Sequence, residues 1–170
     1  MLFRSDRALR HVRQPERRLA DALHPLQSSF DLVVLDCGAG FTLLTTSAPQ
    51  IAEHLLVPIR ADYLSLESLA HFLRWYRDRR AARQASAGLA GILLTMVDYK
   101  QTATREIVDI IRSHNRAGVF RMEIPQDPRV AEAPSHGIPL ISYTRSKASS
   151  AYRELTRELL KRVQRRSRAR

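Results

Sequence analysis

Four short apolar runs, separated by segments with helical spacing, constrain the fold of this chain more than any other feature. The runs are residues 31–37, 54–59, 91–96 and 119–124, and each ends at polar, glycine or proline residues. Short runs rich in valine, isoleucine and leucine are typical of strands that are buried on both faces of a parallel sheet. Strands that alternate with helices predict an α/β fold with an open, mostly parallel sheet and helices on both faces.

Four segments carry apolar residues at the spacing of a helix that buries one face. We expect helices to begin near Pro15, Ser65 and Thr102, with a last helix near the C-terminal end. Ser65 is the predicted N-cap of the second helix, and Gly118 is the predicted end of the third. The apolar stripes are Leu19, Leu23 and Leu26; Leu66, Leu69, Ala70, Leu73 and Tyr76; Ile107, Ile110 and Ile111; and Tyr152, Leu155, Leu159 and Val163.

Composition limits the number of domains and the class of partner. The 170 residues are 44% hydrophobic, which is enough for one globular domain, residues 1–170, whose basic ends 1–14 and 161–170 are candidates for disorder. A net charge of +11 indicates a polyanionic partner such as nucleic acid or a membrane surface. No apolar stretch approaches the roughly 20 residues of a membrane-spanning helix. The sequence shows no signal peptide, and Cys37 has no second cysteine with which to form a disulfide, so a cytoplasmic location is predicted. We expect Cys37 to be a buried thiol.

The candidate functional residues follow the apolar runs, because ligands bind at the carboxyl ends of the strands in such a sheet. Asp36 ends the first run and precedes Gly38. A carboxylate at a strand tip can orient a magnesium ion or its water. The alternative is an aspartate that caps the following turn, and the residues alone leave both interpretations open. The loops 60–62, 98–100 and 125–129 are the other candidates.

Three ordered segments carry a resemblance to a known family. Residues 30–37, Phe-Asp-Leu-Val-Val-Leu-Asp-Cys, are similar to the segment that bears the second nucleotide motif of ParA-type partition ATPases. Residues 93–98 resemble the end of that family's fourth strand, and residues 124–137 resemble its C-terminal signature. From about residue 15 to about residue 160, the chain is identified as a member of the ParA/MinD-type family of P-loop ATPases.

The resemblance implies ATP and magnesium as cofactors. By position, Asp36 resembles the aspartate that holds the magnesium shell, and Asp98, Pro125 and Asp127 lie where the family contacts adenine or its surroundings. Each of these three has an alternative role, because the two aspartates can be simple turn residues and the proline can simply stop a strand.

The resemblance also implies a function in ATP-dependent segregation of DNA or positioning of cargo, in the cytoplasm and on the nucleoid. Lys100 and Arg129 match basic residues that contact DNA in the family, although both can equally be solvated surface charges. Non-specific DNA, a second copy of the chain or a separate upstream half, and a ParB-like activator are the expected partners. A membrane is disfavoured, because docking on the sheet better explains the apolar face of the last helix.

The sequence departs from the family pattern at two places. The family's Cys-Pro-Pro is replaced by Cys37-Gly38-Ala39, and no Gly-x-x-x-x-Gly-Lys-Ser/Thr loop or lysine occurs before Lys100. Such a loop supplies the charge stabilisation of phosphoryl transfer. We therefore expect an incomplete P-loop NTPase fold, without its N-terminal strand and phosphate loop, in a truncated or split protein that does not hydrolyse ATP alone. The alternative is a degenerate DNA-binding or protein-interaction module of the same fold.

Overall fold

The structure is a computed structural model that describes residues 15–38, 40, 42–115 and 118–167. Residues 1–14 and 168–170 of the basic ends lie outside the described residues. The longer elements are α1 (Pro15–Leu23), α2 (Leu43–Ile51), β1 (His54–Arg60), α3 (Tyr63–Ala81), β2 (Gly88–Thr95), α4 (Thr102–His114) and α7 (Lys147–Ser167). The short ones are α5 (Arg129–Glu132), α6 (Leu140–Tyr143) and the 3-10 turns His24–Leu26 and Ala133–His136.

Contacts group the chain into two compact units. The first comprises the described residues up to Leu55 together with Tyr76–Gly88. The second comprises Leu56–Trp75 and the described residues from Leu89 onward. The expectation of one domain over residues 1–170 stays a prediction.

The second unit contains the parallel sheet. β1 and β2 are hydrogen-bonded neighbours, and the Ala61 amide donates to the Thr95 carbonyl at 3.3 Å, so the ends of the two strands lie together. Residues 118–126, here called the third segment, form parallel bridges from Val119 to Ile92 of β2 and from Pro125 to Val97, just after β2. The predicted strands 54–59 and 91–96 are confirmed, and run 119–124 pairs in parallel at both ends without forming a continuous strand.

Helices cover both faces of this sheet, as predicted. Side chains alternate along β2, so that Ile92 and Leu94 pack with α3 and α4, whereas Leu93 packs with α7 on the other face. The first face also takes Ile59, Leu69, Ile107, Val108, Ile111 and Val119, and the second takes Phe120, Ile124, Ala151 and Leu155. Among the described residues, no helix is both long enough and apolar enough to cross a membrane.

The helix ends differ from their predicted positions. α3 begins at Tyr63, because the Asp62 carboxylate accepts a hydrogen bond from the Ser65 amide at 2.9 Å. Asp62 therefore caps this helix, and the prediction of Ser65 was wrong. α4 begins at Thr102 as predicted but ends at His114, before Gly118. The α1 prediction is confirmed from Pro15 to Leu23, and Lys161–Ser167 of the basic end form the last turns of α7.

The predicted strand 31–37 was wrong. No described residue pairs with residues 31–38 through the backbone, and Leu32, Val33 and Val34 are 49%, 37% and 77% exposed. An apolar run is stable as a buried strand only when a neighbouring strand takes its hydrogen bonds and helices cover its faces. The run has the composition of an inner strand, but no described segment lies beside it as a neighbour. Cys37 is exposed as well, contrary to the expected buried thiol.

Within the first unit, hydrogen bonds surround the loop that precedes β2. The Ser86 and Ala87 amides both donate to the Pro49 carbonyl at 3.0 Å, which ties this loop to α2. The Tyr76 hydroxyl donates to the Ala87 carbonyl at 2.5 Å, which ties it to the end of α3. These hydrogen bonds satisfy backbone amide and carbonyl groups of the loop, which are not paired in a strand.

Candidate functional site

The carboxyl ends of β2 and the third segment meet at one edge of the sheet. The Val97 amide donates to the Ile124 carbonyl at 3.0 Å, and the Gln126 amide donates to the Val97 carbonyl at 3.0 Å. These two bonds hold the loop that begins at Asp98 beside the loop that contains Pro125 and Asp127. The structure therefore brings together three of the residues singled out from the sequence, and their binding of adenine stays a prediction.

Asp98 makes the contacts of a turn residue. Its carboxylate accepts hydrogen bonds from the Lys100 amide and the Gln101 side-chain amide, both at 3.1 Å. The bond from Gln101, followed by that from Lys100, lowers the pKa of Asp98 below its ordinary value. Asp98 is therefore a charged acceptor that holds the loop after β2 in a tight turn.

Asp127 links the third segment to the start of α7. Its pKa is lowered chiefly by a hydrogen bond from the Ser146 side chain, and its carboxylate also accepts from the Arg129 amide at 3.0 Å. The Asp127 side chain is only 8% exposed. Most of its hydrogen-bonding capacity is used within the protein, as expected for a residue that fixes a loop.

Asp36 lies in the first unit, within residues 31–38, which are exposed except for the half-buried Leu35. Magnesium in nucleotide sites is commonly held by one or two carboxylates together with substrate phosphates, so a single exposed carboxylate fits a partial magnesium site. The described part of the chain contains no group of three His, Cys, Asp or Glu side chains that could hold a metal without such help. Partial burial, and then the neighbouring Asp36 charge, raise the pKa of the Cys37 thiol.

Lys100 and Arg129 follow the same two strand ends. Lys100 is exposed in the turn that Asp98 closes, and Arg129 is the first residue of α5 with a side chain that is 55% exposed. The Arg129 guanidinium lies 3.8 Å from the Asp127 carboxylate. Arg129 is more than half exposed despite this contact, and Lys100 is exposed as well, so both cations are accessible to a polyanion.

Sequence reasoning missed a hydrogen-bonded group beside these loops. The Tyr99 hydroxyl donates to Glu123 Oε2 at 2.6 Å, and Arg112 Nε donates to Glu123 Oε1 at 3.1 Å. Burial and the adjacent Glu123 raise the pKa of Tyr99 to about 12. These three residues lie on separate elements, and no local pattern in the sequence indicates that they meet.

Replacing Tyr99 with phenylalanine is expected to remove an ionisation near pH 12 from the tyrosine titration. A raised folded pKa favours the neutral phenol, so its contribution to stability is complete below the unfolded value of about 10 and is lost as pH rises towards 12. The difference between the wild-type and Tyr99→Phe ultraviolet titrations isolates this one group. A difference titration centred near pH 10 would contradict the hydrogen bond to Glu123.

Comparison with known proteins places these observations in a family context. A family model described as an AAA domain matches residues 1–86. The chromosome partitioning protein ParA of Myxococcus xanthus is 34% identical over 148 residues, which cover 86% of this chain and 52% of that protein. The sporulation initiation inhibitor protein Soj of Bacillus subtilis is 30% identical over 145 residues, which cover 85% of this chain and 57% of that protein.

A solved structure agrees with the fold. Cobyrinic acid a,c-diamide synthase from Mycobacterium smegmatis, with a bound ATP analog and magnesium, superposes with a TM-score of 0.73 at 25% identity. The match covers 94% of this chain and 58% of that one. The chain thus spans about half the length of the curated relatives that it matches.

Proposed function

This chain belongs to the ParA/MinD-type family of P-loop ATPases, and from that premise we propose that it acts in ATP-dependent DNA segregation or cargo positioning. We propose ATP and magnesium as its cofactors and non-specific DNA as a partner. A second copy of the chain and a ParB-like activator are the proposed protein partners, and the proposed location is the cytoplasm, on the nucleoid.

One observation supports this proposal: the two loops proposed to contact adenine and two accessible cations share one edge of the sheet. The backbone bonds of Val97 place the loop of Asp98 and Lys100 beside the loop of Pro125 and Arg129. In open α/β sheets, ligands bind at this edge. Nucleotide bound there would contact the same two loops that present Lys100 and Arg129, so that nucleotide state and DNA affinity can be coupled.

The phosphates require residues that these 170 residues do not contain. No Gly-x-x-x-x-Gly-Lys-Ser/Thr sequence occurs, so we propose that a segment outside this sequence supplies the phosphate loop, either in the same polypeptide or in a separate one. The exposed apolar residues 32–34 support this proposal, because a strand from such a segment would cover them and take their backbone hydrogen bonds.

Nucleotide binding tests the proposal directly. The chain is joined to, or co-expressed with, the part of the Myxococcus xanthus relative that it does not cover, and ATP binding with magnesium is measured by calorimetry. We expect ATP to bind to the assembled protein but not to residues 1–170 alone, and Asp36→Ala to weaken binding by about tenfold or more in magnesium, since a ligand of the metal shell is lost. Asp31→Ala, in the same exposed segment, serves as the matched control.

Failure of the assembled protein to bind ATP would favour a second function, that of a nucleotide-free DNA-binding or protein-interaction module. The contacts of Asp98 and Asp127 within the protein favour this candidate, because neither carboxylate needs a ligand to be satisfied. If the assembled protein is soluble and the Asp36→Ala and Asp31→Ala variants bind ATP equally well, a role of Asp36 at the metal is contradicted.

DNA binding is expected to depend steeply on salt and on Lys100 and Arg129. Replacing both with glutamine removes two phosphate contacts, so the slope of log K against log salt is expected to become shallower by about 1.8, from about 0.9 for each contact. Fluorescence anisotropy with a short labelled duplex over a salt series measures the slope. The control is Arg74→Gln with Arg83→Gln, an equal change at two other exposed arginines. Equal slopes for both double variants would show that net charge alone binds DNA.

A further inference from the structure

A groove of about 590 Å³ lies within the second unit, between the third segment and the start of α7. Its apolar floor is lined by Val97, Met122, Pro125 and Ala151, of which Pro125 is also proposed to contact adenine. The volume lies within the range of about 300–1,000 Å³ that is usual for binding clefts. The groove is therefore large enough to hold one or two bulky side chains of a partner.

The two acidic residues in this groove are each paired with an arginine of the protein, Glu123 in a half-buried pair and Glu154 in an exposed one. Glu123 accepts hydrogen bonds from Tyr99 and Arg112, and its side chain is only 17% exposed. Glu154 is paired with Arg157 on the next turn of α7. Neither carboxylate presents an uncompensated negative charge to a ligand.

The two basic residues in the groove are exposed and uncompensated. Arg145 and Lys147 stand at the start of α7 and form no ion pair or side-chain hydrogen bond with any residue that the structure describes. An apolar floor beside two free cations is complementary to an apolar side chain beside carboxylates. A charge pattern of this kind favours an anionic partner and disfavours a cationic one.

We propose that this groove binds an acidic peptide segment of a partner protein. An aliphatic or aromatic side chain of the segment packs on Val97, Met122 and Ala151, while its carboxylates pair with Arg145 and Lys147. The apolar contact supplies affinity through buried area, and the two ion pairs select the acidic sequence.

The structure favours this partner over a strand added to the sheet or a nucleic acid. Strand addition needs free backbone groups, but the Arg121 and Met122 amides already donate to Glu158, and Pro125 has no amide hydrogen. A phosphate backbone could contact Arg145 and Lys147 but would leave the apolar floor unfilled. An acidic peptide with a bulky apolar side chain uses both features.

Defined peptides test the proposal with the chain of 170 residues. The probe is a fluorescein-labelled hexapeptide with a central Leu-Phe pair and two acidic residues on each side. Matched peptides carry serine or lysine in place of the acidic residues. We expect the acidic peptide to bind about tenfold more tightly than the serine peptide, a difference of about 1.4 kcal/mol, and the lysine peptide to bind least.

Two pairs of variants separate the groove from general charge effects. Arg145→Glu with Lys147→Glu is expected to abolish the preference for the acidic peptide, whereas Arg74→Glu with Lys161→Glu, an equal change of charge on exposed residues, retains it. Ser150→Trp, which fills the groove, is expected to weaken binding about tenfold, whereas Thr156→Trp on the outer part of α7 does not. Circular dichroism confirms that each variant is folded.

Three outcomes would overturn the proposal. The first is an absence of binding by the acidic peptide, and the second is an equal loss of binding in both charge-reversed variants. The third is a nucleic-acid surface, shown if the Arg145→Glu and Lys147→Glu changes weaken binding of a short DNA duplex while leaving peptide binding unchanged.

Discussion

Replacing Glu158 with alanine is expected to lower the free energy of unfolding by about 2–4 kcal/mol. Glu158 is the acceptor at the centre of the contact between α7 and the third segment, where it receives the Arg121 amide at 3.0 Å and the Met122 amide at 3.1 Å. It also pairs with Arg162 at 2.7 Å, with side chains that are 18% and 22% exposed. Removing one partner of a fully buried pair costs about 3–5 kcal/mol, and the partial exposure of this pair reduces the effect.

Removing the Glu158 carboxylate also affects the contacts made by its partner, Arg162. Arg162 donates to the Ala90 carbonyl at 3.0 Å and the Val119 carbonyl at 2.7 Å, and its guanidinium lies 4.2 Å from the centre of the Phe120 ring. Without Glu158 the arginine charge stays partly buried and uncompensated. Urea unfolding followed by circular dichroism measures the change.

The exposed pair of Glu154 and Arg157 on the same helix provides the control. Their side chains are 50% and 68% exposed, so Glu154→Ala is expected to change the unfolding free energy by no more than about 0.5 kcal/mol. Equal effects of Glu154→Ala and Glu158→Ala would mean that the Glu158 cluster does not hold α7 on the sheet.

The Glu158 contribution has a defined dependence on pH. Burial alone would raise the pKa of Glu158, but hydrogen bonds from Arg121, Met122 and Arg162 outweigh it and leave the pKa below 4.5. A lowered folded pKa gives stability that is present above the unfolded value and is lost as pH falls through the folded value. The stability difference between the wild type and Glu158→Gln is therefore expected to narrow below about pH 4.5.

Replacing Gly91 with alanine is expected to destabilise the second unit by about 1–3 kcal/mol, the usual cost of overpacking a core. A Cβ atom at Gly91 would lie 2.7 Å from an Arg162 nitrogen, 2.8 Å from the Phe120 ring and 2.9 Å from the Gly118 carbonyl oxygen. The arginine is held by its own hydrogen bonds and the carbonyl belongs to the backbone, so neither can move without loss of another contact.

A second glycine gives the matched control for Gly91. A Cβ atom at Gly38 would have no heavy atom within 4 Å, so Gly38→Ala is expected to leave stability nearly unchanged. Urea unfolding of both variants measures the two effects together. If the Gly91→Ala variant has the same free energy of unfolding as the wild type, α7 can move away from residue 91 without loss of stability.

Local sequence was sufficient to predict the helices and strands whose hydrophobic pattern is set by residues close in the chain. The runs that became β1 and β2 were recognisable because both strands place side chains in the apolar clusters on the two faces of the sheet, and α1, α4 and α7 were recognisable from their apolar spacing. The position of Asp98 and residues 125–127 at strand ends followed from the strand pattern, whereas their adjacency came from the parallel pairing in the structure. The three family segments, which need no knowledge of packing, indicated the family.

Prediction from sequence failed where the outcome depends on a distant partner. Residues 31–37 have the apolar composition that is typical of a strand with a neighbour on each side. Composition alone cannot show whether such neighbours are present. The choice of Asp62 over Ser65 as N-cap depended on where β1 ends, which periodicity does not locate to one residue.

The sequence by itself determined the alternation of strands and helices, the family and the identity of the residues at the carboxyl edge of the sheet. Only the tertiary structure decided that Glu158 and Arg162 seat α7 on the third segment, that Gly91 leaves space for Arg162, and that Arg145 and Lys147 border an apolar groove. The physical reason is the range of the interactions. Hydrophobic periodicity acts over a few residues, whereas hydrogen bonds, ion pairs and close packing join atoms that are tens of residues apart in the chain.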